Sequence, residues 1–167
     1  MIKLTWHEEK VPEGMQIRQV YAVAFAEDGR VILKIKNTED GKSYSLAGGT
    51  PESFDKDNEA TLRREYVEEI NTTLQSKVCY LGYVLVEGDG DRAPYAQVRT
   101  TALIDKIGPR QPDPDGGEIY ERVLVCPQKA IKLLNWGDIG RFIITKAVEV
   151  ARAELGIEAY LDKDEYV

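Results

Sequence analysis

Apolar residues recur along this chain in two rhythms. Residues 20–25 (VYAVAF) and 31–35 (VILKI) are short β-prone runs separated by AEDGR, whose Asp28 and Gly29 supply the chemistry of a tight hairpin turn. Residues 43–46 form a further short run ending at a glycine pair, Gly48 and Gly49. Residues 78–86 and 96–104 are longer runs joined by EGDGDRAP, which predicts a second hairpin with a mobile tip. The prolines and glycines of GPRQPDPDGGE (108–118) exclude regular structure, so a long loop leads into a strand at 123–125.

Helical spacing occurs in three segments. From Pro127, the residues Ala130, Ile131, Leu133 and Leu134 precede NWGD, and 139–155 carries apolar residues at three- and four-residue intervals up to Gly156, a C-terminal stop. The acidic ending YLDKDEYV reads as a frayed tail. Earlier, Asp55, Asp57 and Asn58 are good N-cap types, 60–70 holds strong helix formers without Pro or Gly, and Asn71 tolerates the left-handed turn that ends a helix. On that helix Leu62, Tyr66 and Ile70 share one face, with Arg63 at its rim, while Glu65, Glu68 and Glu69 share the adjacent face. The order strands, helix, strands, helices predicts an α/β protein in which helices cover a mixed sheet. With 167 residues and 43% apolar content, a single domain over 1–167 is expected, with 1–15 and 157–167 peripheral.

Charge narrows the chemistry. A formal net charge of -7 argues against a nucleic-acid-coating surface, because a phosphate backbone requires dense Lys and Arg. A polyanionic small molecule would need a cation between itself and this protein. No secretory-type or membrane-spanning apolar stretch occurs, so a soluble, cytoplasmic protein that does not engage membranes is expected. Cys79 and Cys126 lack paired metal-site spacing and read as free thiols, and the single His7 is too isolated to found a catalytic triad.

The acidic helix is where chemistry concentrates. Three carboxylates within one turn repel by about 1 kcal/mol per close pair in a water-like medium and about 4 at an effective dielectric near 20. Arg64, four residues before Glu68, neutralises one of them. The rest call for a hard divalent cation, and Mg²⁺ suits because it takes carboxylate and carbonyl oxygens while keeping room for substrate phosphates. Gly48 and Gly49, having no side chains, let backbone carbonyls approach such an ion. Taken alone, REYVEE is also a common solvated helix pattern.

The whole stretch 49–72, GTPES…RREYVEEINT, resembles the Nudix box: Gly, five residues, Glu, seven residues, then Arg-Glu-aliphatic-x-Glu-Glu-x-Gly-aliphatic. Gly49, Arg64, Glu65, Glu68 and Glu69 match. Asp55 stands where the first Glu belongs, one extra residue precedes Arg64, Tyr66 replaces an aliphatic, Asn71 replaces Gly and Thr72 replaces the last aliphatic. The resemblance implies a Nudix-like α/β/α sandwich with a mixed β-sheet and a pyrophosphohydrolase acting on the diphosphate linkage of a nucleoside diphosphate derivative. It implies Mg²⁺, with Mn²⁺ as a substitute, held by Gly49, Glu65, Glu68 and Glu69, and Arg64 orienting a glutamate. GGEIYERVLVCPQKAI is similar to a later acidic segment of the family, which nominates Glu118 or Glu121 as a further ligand or base. Trp6, Tyr44, Phe54, Tyr83 and Tyr95 are candidates to stack a base, or else core filler. The alternative is a catalytically impaired Nudix-like nucleotide-binding or regulatory module. A homodimer is left open.

Overall fold

The computed structural model describes all of residues 1–167. Nine strands share one sheet: β1 (Lys3–His7), β2 (Gln16–Phe25), β3 (Val31–Thr38), β4 (Gly41–Ser45), β5 (Gly48–Gly49), β6 (Thr72–Glu87), β7 (Tyr95–Ile107), β8 (Glu121–Val125) and β9 (Glu165–Tyr166). Three helices interrupt them: α1 (Asn58–Ile70), α2 (Pro127–Leu134) and α3 (Gly137–Glu154). The main order is β1-β6-β7-β2-β3-β8-β9, with β4 on β3 and β5 on β2. The sheet is mixed, because β2 and β7 run parallel while the other pairs are antiparallel.

Period-two alternation sorts the side chains to two cores. Val23 and Phe25 of β2, Leu33 of β3 and Val123 of β8 face one core with Ala130 of α2 and Ile143 of α3. Ala22 and Ala24, Ile32 and Leu124 face the other, which Leu62, Tyr66 and Ile70 of α1 complete. The expected α/β/α layering is therefore present, with α1 alone on one face.

Both predicted hairpins form, with differences. At the Asp28-Gly29 turn the pairing is confined to Phe25 and Val31, while β5 pairs with β2 further back, at Val20 and Tyr21. The β6–β7 tip is tied by Arg92 to Asp89 at 2.8 Å and by the Tyr95 hydroxyl to the same carboxylate at 2.8 Å. The ending read as a frayed tail is instead an edge strand: β9 pairs with β8, and Arg30, 6% exposed, bonds Asp28 and Glu165 at 2.8 and 2.9 Å. Glu165 and the carbonyls of Lys163 and Val167, held by Arg30 and Arg122, dock it. The amino-terminal segment likewise contributes β1, paired along β6. Cys79 and Cys126 are free, and His7 stacks on Tyr83 at 5.0 Å. No helix is long and apolar enough to cross a membrane.

Candidate active site

Helix α1 starts where the Asp57 side chain accepts the Ala60 amide at 2.8 Å and ends where Asn71 turns left-handed at φ 50. Both caps fall where the sequence puts them. Tyr66, which replaces an aliphatic, is fully buried and donates its phenol to the Ala22 carbonyl of β2 at 2.7 Å, pinning α1 to the sheet. Arg63, at the rim of the apolar face, donates to the carbonyls of Leu74, Gln75 and Ser76 at 2.9, 2.9 and 3.1 Å. Those carbonyls lie where the β6–β7 register breaks, so the arginine satisfies backbone that the ladder leaves unpaired.

The glycine pair lies against this helix. Gly48 and Gly49 pair with Tyr21 and Val20 of β2. A Cβ on Gly49 would stand 2.4 Å from the Glu65 carboxyl carbon, and one on Gly48, at φ +151, would stand 2.2 Å from the Val20 carbonyl. Backbone admits only glycine at Gly48, and a side chain at Gly49 would push the Glu65 carboxylate aside. The Gly48 amide also donates to Glu69 at 3.0 Å.

Arg64 is the hub of the acidic cluster, and its principal partner is Asp55 rather than Glu68. Its guanidinium makes two bonds to the Asp55 carboxylate, at 3.0 and 2.9 Å, and single bonds to Glu65 at 3.0 Å and Glu68 at 3.2 Å. Planar two-point pairing is the stronger geometry, which is why Asp55 wins. Asp55 also accepts the Glu52 amide at 2.9 Å and the Thr61 hydroxyl at 2.8 Å, so it ties the glycine loop to α1. The Arg64 guanidinium holds the Asp55 carboxyl well below the usual carboxylate range.

Glu69 is not on an exposed face. It is 8% exposed, paired with the Lys34 ammonium of β3, and Lys34 in turn lies 4.7 Å from the Tyr120 ring centre. Glu65 is less well neutralised: burial, reinforced by Glu69 and opposed by Arg64, pushes its carboxyl up to about 7. Glu65 and Glu69 line an open cavity of about 390 Å³ together with Gly48, Gly49 and Lys34. Glu52, Asp113 and Asp115 complete its acidic rim, while Arg64 and Glu68 stand outside its wall.

Two nominated acids are elsewhere. Glu118 faces Lys36 at 3.5 Å, and Glu121, opposite Ile35 in the β3–β8 register, reaches Lys42 at 3.3 Å. Neither lines the cavity. The loop before β8 closes on itself through Asp113, whose amide donates to Glu118 and whose carbonyl accepts from Gly117, both at 2.8 Å. That closure turns Asp113 and Asp115 toward the cavity in their stead. The signal for them is the Pro112-Asp113-Pro114-Asp115 alternation, acids on backbone that proline stiffens. Lys34, within an apolar strand, carried none.

No trio of acids, histidines or cysteines converges into a ready-made metal cage. The donors present are all hard oxygens, with Glu65 only partly neutralised, and this set fits Mg²⁺ rather than a thiophilic metal.

A mixed sheet between helices, with an acidic helix pressed on a glycine pair, defines a Nudix-type hydrolase. The chain belongs to the NUDIX domain family, which it matches over residues 15–145. In fold it is similar to the pyrophosphohydrolase BsRppH of Bacillus subtilis, at 19% identity and a TM-score of 0.66, covering 87% of this chain and 90% of that one. A NUDIX hydrolase from Nitrosomonas europaea is 15% identical with a TM-score of 0.59, covering 87% and 94%. An Ap4A hydrolase from C. elegans is 12% identical with a TM-score of 0.54, covering 82% and 98%. No curated protein sequence matches.

Proposed function

We propose that this protein cleaves the diphosphate linkage of a small nucleoside diphosphate derivative at the acidic cavity, with Mg²⁺, or Mn²⁺ in its place, held by Glu65, Glu68, Glu69 and the Gly49 carbonyl. The observation that carries this reading is the junction of Glu65 and Glu69 with Gly48 and Gly49 in one cavity wall. When bound, the cation supplies charge neutralisation for the diphosphate and acidifies a water.

The chain's own residues do the rest. The Gly48 amide and the Lys34 ammonium hold Glu69 from two sides, which fixes its carboxylate by the chain's own groups. Arg64 positions Glu65 and Glu68 from behind while its pairing with Asp55 locks the loop that carries Gly49. The attacking water gives its proton to a carboxylate of the rim, Glu52, Asp113 or Asp115, all of which line the same cavity.

The Lys34–Glu69 ion pair favours one second reading, a nucleotide-binding module that does not turn over, since the ammonium already occupies a ligand carboxylate. Incubation with a panel of nucleoside diphosphate derivatives in Mg²⁺, followed by chromatography, separates the two. Release of a nucleoside monophosphate or phosphate supports the hydrolase, and saturable binding without any product supports the module.

A further inference from the structure

Arg99 is a cation taken out of water without a counter-charge. It lies on β7, is 5% exposed, and uses its terminal nitrogens only on the Gln97 carbonyl at 3.3 Å and the Gln97 side-chain oxygen at 3.2 Å. Its Nε is buried and has no hydrogen-bond partner. Burial pushes its pKa down to about 10, so it stays charged at neutral pH. Buried charges left in this state cost stability, and a site that retains one has a use for it.

Arg99 lines a cavity of about 320 Å³. Tyr21, Leu46, Val84 and Trp136 make apolar walls, and the guanidinium lies 4.5 Å from the Tyr21 ring centre and 5.7 Å from that of Trp136. Gln97 adds no free acceptor, because its oxygen holds Arg99 and its amide donates to Gln19 at 2.6 Å. Tyr21, Ser45 and Leu46 also line the acidic cavity, so the two spaces adjoin across a shared wall.

We propose that this second cavity takes the base of the substrate nucleotide, and that Arg99 selects a base with an acceptor edge, a 6-oxopurine such as guanine or hypoxanthine, over adenine. The proposal rests on the hydrolase reading for the position of the diphosphate. Aromatic and aliphatic walls suit a flat ring, and the mainly apolar lining gives a phosphate little beyond Arg99 itself. Arginine offers donors only, and the O6 and N7 atoms of a 6-oxopurine accept two of them. Adenine would offer N7 alone and set its N6 donor against the second guanidinium N–H, which is then left without a partner.

Calorimetric titration of the full chain, without metal, with guanosine, inosine and adenosine 5′-monophosphates tests this apart from turnover. Guanosine and inosine monophosphates bind at least about tenfold more tightly than adenosine monophosphate, the scale of one good bidentate base contact. Arg99→Met removes that preference while its Tm stays level or rises. Gln97→Glu, which gives Arg99 a carboxylate partner, weakens the preference too and carries the test if Arg99→Met fails to fold. Equal affinities in the parent protein, a preference for adenine, or a guanine preference that survives in a folded Arg99→Met overturn the proposal. A guanine preference without hydrolysis of any guanosine diphosphate derivative overturns the hydrolase reading and leaves the base site standing.

Discussion

Two adjoining cavities share Tyr21, Ser45 and Leu46 and are built on opposite principles. In the first, carboxylates crowd together, and Arg64 and Lys34 are set among them until most of the charge is answered. In the second, a single cation is sealed among aromatic and aliphatic side chains with only the Gln97 oxygens and two ring faces, and no carboxylate, to answer it. Each therefore leaves a residue of uncompensated charge, negative at Glu65 and positive at Arg99. The lesson is that unfinished electrostatics points to the ligand: a hard cation on one side, an acceptor-bearing ring on the other.

The contrast breaks most sharply at Glu65. Glu65→Gln is expected to lower kcat on the order of a hundredfold, the scale of losing one charged group that stabilises a transition state, while the Tm holds or rises as like-charge crowding is relieved. Steady-state kinetics and calorimetry together check both halves. Arg64→Lys comes next. Lysine cannot reproduce the two-point contact with Asp55, so kcat falls about ten- to a hundredfold with KM little changed, as for other residues that orient ligands from behind. A raised KM at constant kcat would make Arg64 a substrate clamp instead.

Smaller effects sharpen the same picture. Tyr66→Phe loses the buried bond to Ala22 and should cost about 1 kcal/mol in urea unfolding. Asp55→Asn should flatten the acid limb of the stability curve. The sign follows from a folded-state pKa lower than the unfolded value of about 3.9: Asp55 contributes stability above that pH and loses it as the pH falls toward its folded pKa. Thermal melts of parent and variant between neutral and strongly acid pH measure the difference.

What could be read from the sequence divides along the same line as the two cavities. The acidic cluster and its glycine pair lie within residues 48–70, so helix period, caps and spacing place them correctly before any tertiary contact is known. Arg99, Tyr21 and Val84 come from three paired strands and Trp136 from the junction of α2 and α3, so only the tertiary fold brings them together. The aromatics nominated to stack a base show the limit: Tyr83 packs on His7, Phe54 lies over Arg64 and Tyr95 over Arg18, while Tyr21 and Trp136 line the cavity. The ending failed for a related reason, since its charges look like a solvated tail until Arg30 and Arg122 are placed beside it. Glu121 stands away from the cavity because a strand's register, invisible in one sequence, decides which neighbour its carboxylate meets.

The most direct test is the release of nucleoside monophosphate from a guanosine diphosphate derivative in Mg²⁺ by three proteins side by side: the parent, Glu65→Gln and Glu121→Gln. The cavity assignment predicts turnover by the parent, a loss on the order of a hundredfold in Glu65→Gln, and turnover within a few fold of the parent in Glu121→Gln. Undiminished release by Glu65→Gln, or loss in Glu121→Gln alone, would place the chemistry outside the acidic cavity and contradict it.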